Sequence, residues 1–162
     1  MKHFIYVALF ACLTNTVMAT ATLSGIKSIP PQEKRYQVAV DFVNAYIQNC
    51  NNLNKSEEIR AWVKNNSMVT DSFKKEVIAM VTQAWKDDPE LGLDADPIFD
   101  AQDFPEEGVK LLQYNENTGY VEVQGIQWTD FKLTVKVITQ NGKILVDGCG
   151  IINIPESERS AR

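Results

Sequence analysis

The chain has 162 residues, 44% hydrophobic and 23% charged, the balance of a folded globular protein and not of a disordered one. Its 21 acidic and 16 basic residues leave a net charge of −5, which disfavours nucleic acid, because affinity there comes from clustered bases that neutralise phosphates. One histidine and three cysteines leave little material for metal or imidazole chemistry.

The first nineteen residues have the layout of a secretory signal peptide. Met1-Lys2-His3 is the positive start, Phe4 to Leu13 the apolar run, and Val17-Met18-Ala19 a small-residue exit, with cleavage after Ala19 or Ala21. The run is too short to span a bilayer, which needs about 20 apolar residues, so no membrane span is expected. Cleavage removes His3 and Cys12. The mature chain then has no imidazole, which excludes Ser-His-Asp hydrolysis, histidine acid–base catalysis and ordinary zinc sites. The expected location is the periplasm. Leu9-Phe10-Ala11-Cys12 also resembles a lipoprotein cleavage site, and on that reading Cys12 is lipidated and the chain is anchored.

Residues 20–31 form a polar lead-in ending in Pro30-Pro31, a dipeptide suited to the start of a helix. A first helix is predicted over 32–50, where Tyr36, Ala39, Val40, Val43, Ile47 and Cys50 recur at three and four residues. Ser56, followed by Glu57-Glu58, reads as the cap of a second, short helix with Ile59, Trp62 and Val63 as its apolar side. Thr70-Asp71 caps a third, whose stripe is Phe73, Val77, Met80, Val81 and Ala84 and which ends at Asp87-Asp88-Pro89. Trp62 and Trp85 are read as core or rim.

Nine acids and no base lie between Asp87 and Glu107, a stretch punctuated by prolines and read as a long loop. Loops of that length usually have a function or are ordered by specific contacts. Asp94, Asp96, Asp100, Asp103, Glu106 and Glu107 are therefore candidate contacts for a basic protein partner. Asp94, Asp96, Asp100 and Asp103 carry oxygens that suit calcium, but the spacing lacks the turn glycine of a calcium loop and Pro97 interrupts it. No metal and no cofactor is expected. Asp96 and Asp103 are expected to bond backbone amides and shape the loop.

Four strands follow. Val109–Tyr114 and Tyr120–Gln124 flank the turn 116–119. Phe131, Leu133, Val135 and Val137 alternate with Lys132, Thr134 and Lys136, and Asn141-Gly142 is a two-residue hairpin signal leading into a last strand from Lys143 to about Ile152. In the loop Gly125-Ile126-Gln127-Trp128, Trp128 is a candidate contact anchor. Residues 155–162 are read as a flexible tail, so the folded domain is 32–154.

Cys50 and Cys149 are the two mature cysteines of an exported chain and are expected to form one disulfide. Closing a loop of that length contributes about 4–5 kcal/mol in chain-entropy terms. The hairpin register complicates the pairing. With Gln140 opposite Lys143, unbroken pairing sets Lys136 opposite Asp147 and Cys149 on the polar face, so Cys149 reaches the helices only if a bulge near Gly148 shifts the register.

Three helices followed by an antiparallel four-stranded meander predict an α+β domain with the helices on one sheet face. This order resembles the cone-shaped fold of the nuclear transport factor two and ketosteroid isomerase superfamily. Asp96-Pro97-Ile98-Phe99-Asp100-Ala101-Gln102-Asp103 is similar to the D-P-F-x-x-A-Q-D segment of an exported bacterial domain-of-unknown-function family, and Gly142-Lys143-Ile144-Leu145-Val146-Asp147 to its closing G-K-W-x-I-D strand. The family lends no catalytic residues, and none is assigned. The resemblance also implies a cone cavity in which Tyr46 and Asp103 could pair as phenol and carboxylate. The preferred reading is a protein that binds rather than catalyses, an immunity- or inhibitor-type protein neutralising a basic secreted toxin or hydrolase. The alternatives are a small-ligand binder or histidine-free enzyme using the cavity, and an accessory domain that forms a homodimer through its sheet.

Overall fold

A computed structural model describes residues 32–161. The signal segment 1–19, Cys12, the lead-in 20–31 and Arg162 lie outside the described residues. The architecture is α+β: helices α1 (Gln32–Asn51), α2 (Ile59–Asn65) and α3 (Asp71–Asp87), then strands β1 (Val109–Asn115), β2 (Tyr120–Gly125), β3 (Lys132–Gln140) and β4 (Lys143–Cys149) in one antiparallel sheet of order β1-β2-β3-β4. Among the described residues no helix is long and apolar enough to cross a membrane.

The predicted stripes are the buried ones. Ala39, Phe42, Val43, Tyr46 and Ile47 of α1, with Phe73, Val77 and Val81 of α3, close on Val121, Val123, Leu133, Val135 and Val137 of the sheet. Thr70 caps α3 as expected, its Oγ1 accepting from Phe73 N at 3.1 Å. It also donates to Asp147 Oδ1 at 2.7 Å, which ties the start of α3 to β4. The α2 cap differs from expectation. It is Glu58, whose carboxylate accepts from Arg60 N and also pairs with Arg60 Nε at 2.8 Å. Asn49 of α1 bonds both the N–H and the C=O of Glu57, which keeps the chain extended past Ser56 and delays the helix.

The β3–β4 hairpin turns at Asn141 and Gly142, both at positive φ, as a tight two-residue turn requires. Pairing runs through Gln140↔Lys143 and Val137↔Val146 and then jumps to Lys136↔Gly148 and Val135↔Cys149. The extra residue is Asp147, so the expected bulge is present and turns Cys149 onto the core face. The Lys136–Asp147 pair of unbroken pairing gives way to the Thr70–Asp147 bond. A second bulge, which the sequence did not signal, interrupts β1 between Leu111 and Gln113.

Three expectations are corrected here. Cys50 and Cys149 are free thiols, not a disulfide. The register shift does turn Cys149 inward, but it faces the segment Pro97–Phe99: its Sγ donates to Ile98 O at 3.4 Å, while Cys50 sits one helical turn after Tyr46 on α1. The last strand ends at Cys149 and not near Ile152, because Gly150 turns the chain at φ +62°. A Cβ at Gly150 would lie 2.4 Å from the carbonyl oxygens of Pro97 and Ile98, so only glycine permits that approach. Residues 155–161, finally, are not a contact-free tail. Ile154 is buried, a 3₁₀ turn follows at Glu156–Glu158, Arg159 Nε donates to Ile154 O, and the Ser160 and Thr134 hydroxyls meet at 2.9 Å. The tail is a strap across the outer face of the sheet.

Candidate functional site

The acidic loop divides into a buried middle and an exposed end. Its middle is closed by backbone bonds between Asp96 and Ala101 in both directions, and it sinks Pro97, Ile98 and Phe99 into the interior. Asp96 organises this turn. Its Oδ1 accepts from Ile98 N at 2.8 Å and Phe99 N at 3.0 Å, and its Oδ2 accepts from Tyr46 Oη at 2.6 Å. Burial raises the Asp96 carboxyl above its ordinary range, and the bonds from Tyr46 and the two amides partly offset this. Burial, then the neighbouring Asp96 charge, pushes the Tyr46 phenol far above its usual value. The same two causes raise Cys50 to about 11, against a lowering bond from Tyr46. Burial foremost, with Asp96 next, also holds Cys149 well above the usual thiol range. Both thiols are therefore poor nucleophiles.

Asp96 thus leaves the expected partner-binding set, since its oxygens are spent inside the fold. It also takes the place proposed for Asp103: the carboxylate on Tyr46 is Asp96, and Asp103 is exposed. The space between α1 and the sheet is filled by rings. Tyr46 packs on Trp62 and Phe99, Phe99 on Phe104 and Phe131, and Phe42 on Trp62 and Phe73. Tyr46 is 2% exposed.

The loop's end is different. Asn44 of α1 clamps Val109, accepting from its N–H at 2.8 Å and donating to its C=O at 3.1 Å, and Asn51 donates to Glu106 O at 2.9 Å. Ile126 N donates to Gly108 O, and Gln127 Nε2 donates to the Glu107 carboxylate. These contacts join the β2–β3 loop to Glu106–Gly108. The loop itself is braced by Phe131 N donating to Trp128 O and by Gln124 Nε2 donating to Thr129 O. On this support Ile126 is 46% and Trp128 42% exposed, with Glu106, Glu107 and Asp130 exposed in the same two segments. The Trp128 ring leans on Phe131, centroids 5.5 Å apart.

Of the residues singled out from the sequence, Glu106, Glu107 and Trp128 are therefore brought together. Asp94 and Asp103 are exposed elsewhere on the loop, and Asp100 is half-buried at φ +54° beside Lys132, Gly150 and Arg159. Among the described residues no group of three or more carboxylate, thiol or imidazole side chains converges to hold a metal ion. Ile126 was missed by sequence reasoning. The available signal was an apolar residue two positions before Trp128 in a loop too short to bury it. An aromatic and an aliphatic side chain beside carboxylates, on backbone fixed from both sides, can desolvate against a partner and select for positive charge.

No protein-family model and no curated protein matches the chain. Among solved structures it is similar to a protein of unknown function from Bacteroides thetaiotaomicron, at 20% identity and a TM-score of 0.44, over 72% of this chain and 88% of that one.

Proposed function

We propose that this is an exported, periplasmic protein of the cone-shaped nuclear-transport-factor-2-like type that acts by binding, as an immunity or inhibitor protein against a basic secreted toxin or hydrolase. The observation that carries it is the Ile126–Trp128 pair held in the open beside Glu106 and Glu107. Large apolar groups on a small domain cost free energy when exposed, and a rigid apolar anchor flanked by charge is what a protein interface uses. The signal-like N-terminus and the resemblance of the Asp96–Asp103 segment to an exported family support the location. The contact surface is the rim formed by Glu106, Glu107, Ile126 and Trp128, with Asp94, Asp100 and Asp103 setting a longer-range acidic field.

The test is capture from envelope and secreted extracts of the source cells by the tagged chain beginning at Thr20, beside the W128A and E106K/E107K variants. The expected result is a basic protein retained by the parent chain at low salt, released at moderate salt, and retained at least about tenfold less by each variant. Equal retention by all three chains would remove the rim from the interface.

A further inference from the structure

The strap formed by residues 155–161 leaves a cleft of about 280 Å3 between itself and the outer face of the sheet, on the side away from the helices. Its floor is built from cross-strand rows. Gln113 pairs with Glu122 and Glu122 with Thr134, and in the next row Asn115 pairs with Tyr120. Its wall is Ser157, Glu158, Arg159 and Ser160, closed at one end by the Ser160–Thr134 hydroxyl contact.

We propose that this cleft binds a neutral polyhydroxylated ligand of monosaccharide size. Three features choose that class. The lining is dense in amides and hydroxyls and holds one ring, Tyr120; such groups meet vicinal hydroxyls, whereas a lipid or steroid needs an apolar wall. Both signs of charge are present: Glu122, Glu158 and Arg159 line the cleft, and Lys136, next to the lining, lies 4.2 Å over the Tyr120 ring centroid, so no strong single-sign field selects an anion or a cation. The volume falls just under that of small-ligand sites, which start near about 300 Å3, and so suits a ligand no larger than a monosaccharide. Glu122 offers two acceptor oxygens and Gln113 both a donor and an acceptor to the same hydroxyl row.

The experiment is an amide-shift titration of the 15N-labelled chain with D-glucose and N-acetyl-D-glucosamine, their linear trimers, and glycerol as control. A saturable shift at Gln113, Glu122 and residues 157–160, with a Kd of about 1 mM for at least one sugar and none for glycerol, is the expected result. Loss of one partner should weaken binding about fivefold in Gln113→Ala and in Glu122→Ala. Both side chains lie on the sheet's outer face, so the thermal midpoint should not move and a folding defect is separable from a binding defect. A trimer that binds more tightly than its monomer makes the ligand a glycan; equal affinities make it a free sugar. No saturable shift with any of these sugars, or shifts that survive both substitutions, would overturn the assignment.

Discussion

Two parts of one acidic loop behave in opposite ways. Residues 96–99 turn inward, spend the Asp96 carboxylate on Tyr46 and two amides, and place Phe99 against the rings of Tyr46, Phe104 and Phe131. Residues 106–108 are also tied down, through Asn51, Gln127 and Ile126, yet the Glu106 and Glu107 side chains stay in water. Rigidity is common to both parts, and the difference lies in what is exposed. The inner turn is a structural plug, and the outer end is a fixed platform whose exposed groups the fold does not need. Charge density alone is thus a poor guide to which acid meets a partner.

The sharpest way to break this contrast is at the plug. Phe99→Ala removes a fully buried ring and should cost about 3–5 kcal/mol in urea unfolding; a loss under 1 kcal/mol would mean the loop is not part of the core. Asp96→Ala should cost about 2–4 kcal/mol, because the Tyr46 hydroxyl and two amides lose their acceptor, and Tyr46→Phe about 1–3 kcal/mol. Burial makes the folded chain hold the Asp96 proton more tightly than the unfolded chain does. The stabilisation from this linkage is fully present below the ordinary carboxylate pKa and is lost as pH rises through the raised folded value. The stability of the parent chain minus that of Asp96→Asn should therefore increase when pH is lowered from neutral to about 4. A difference that falls instead would contradict the raised carboxyl.

The thiols test the same interior. A chain beginning at Thr20 should show two free thiols when unfolded without reductant. In the folded state at mildly alkaline pH, Cys50 should react slowly and faster as pH approaches 11, and Cys149 should react only after unfolding. An intact mass lower by the two hydrogens of a disulfide would refute the free-thiol arrangement. The smallest stability effects belong to the platform. E106K/E107K should change stability by no more than about 0.5 kcal/mol, and W128A by about 1 kcal/mol through its contact with Phe131, while partner binding falls about tenfold. Unfolding and binding measured on the same samples separate the two regions.

Much of the fold was legible because local rules agreed with one another. The α1 and α3 stripes, the Thr70 cap, the alternation of β3 and the Asn141-Gly142 turn each satisfy a backbone or packing requirement within a few residues, and all were read correctly. The α2 cap was misread because the competing bonds come from Asn49, on another helix. The bulge was inferred from glycines flanking a residue that had to change faces, but its consequence was not a disulfide. What faces Cys149 is the Pro97–Phe99 segment, whose Ile98 lies 51 residues away along the chain. The strap was not legible because its tie to the sheet is the Ser160–Thr134 hydroxyl contact, 26 residues apart along the chain. Within the candidate site, Trp128 was visible as an aromatic in a loop, whereas its meeting with Glu106 and Glu107 was not.

By itself, the sequence determined element type and order, the buried faces, the tight turns and the absence of histidine beyond His3, because these depend on periodicity, backbone propensity and composition. The tertiary structure alone decided which carboxylate is buried and which exposed, that Asp96 and not Asp103 meets Tyr46, that the thiols stay apart, and that the tail crosses the sheet. Those outcomes depend on which distant segments fill the same space, and neither spacing along the chain nor side-chain chemistry encodes that.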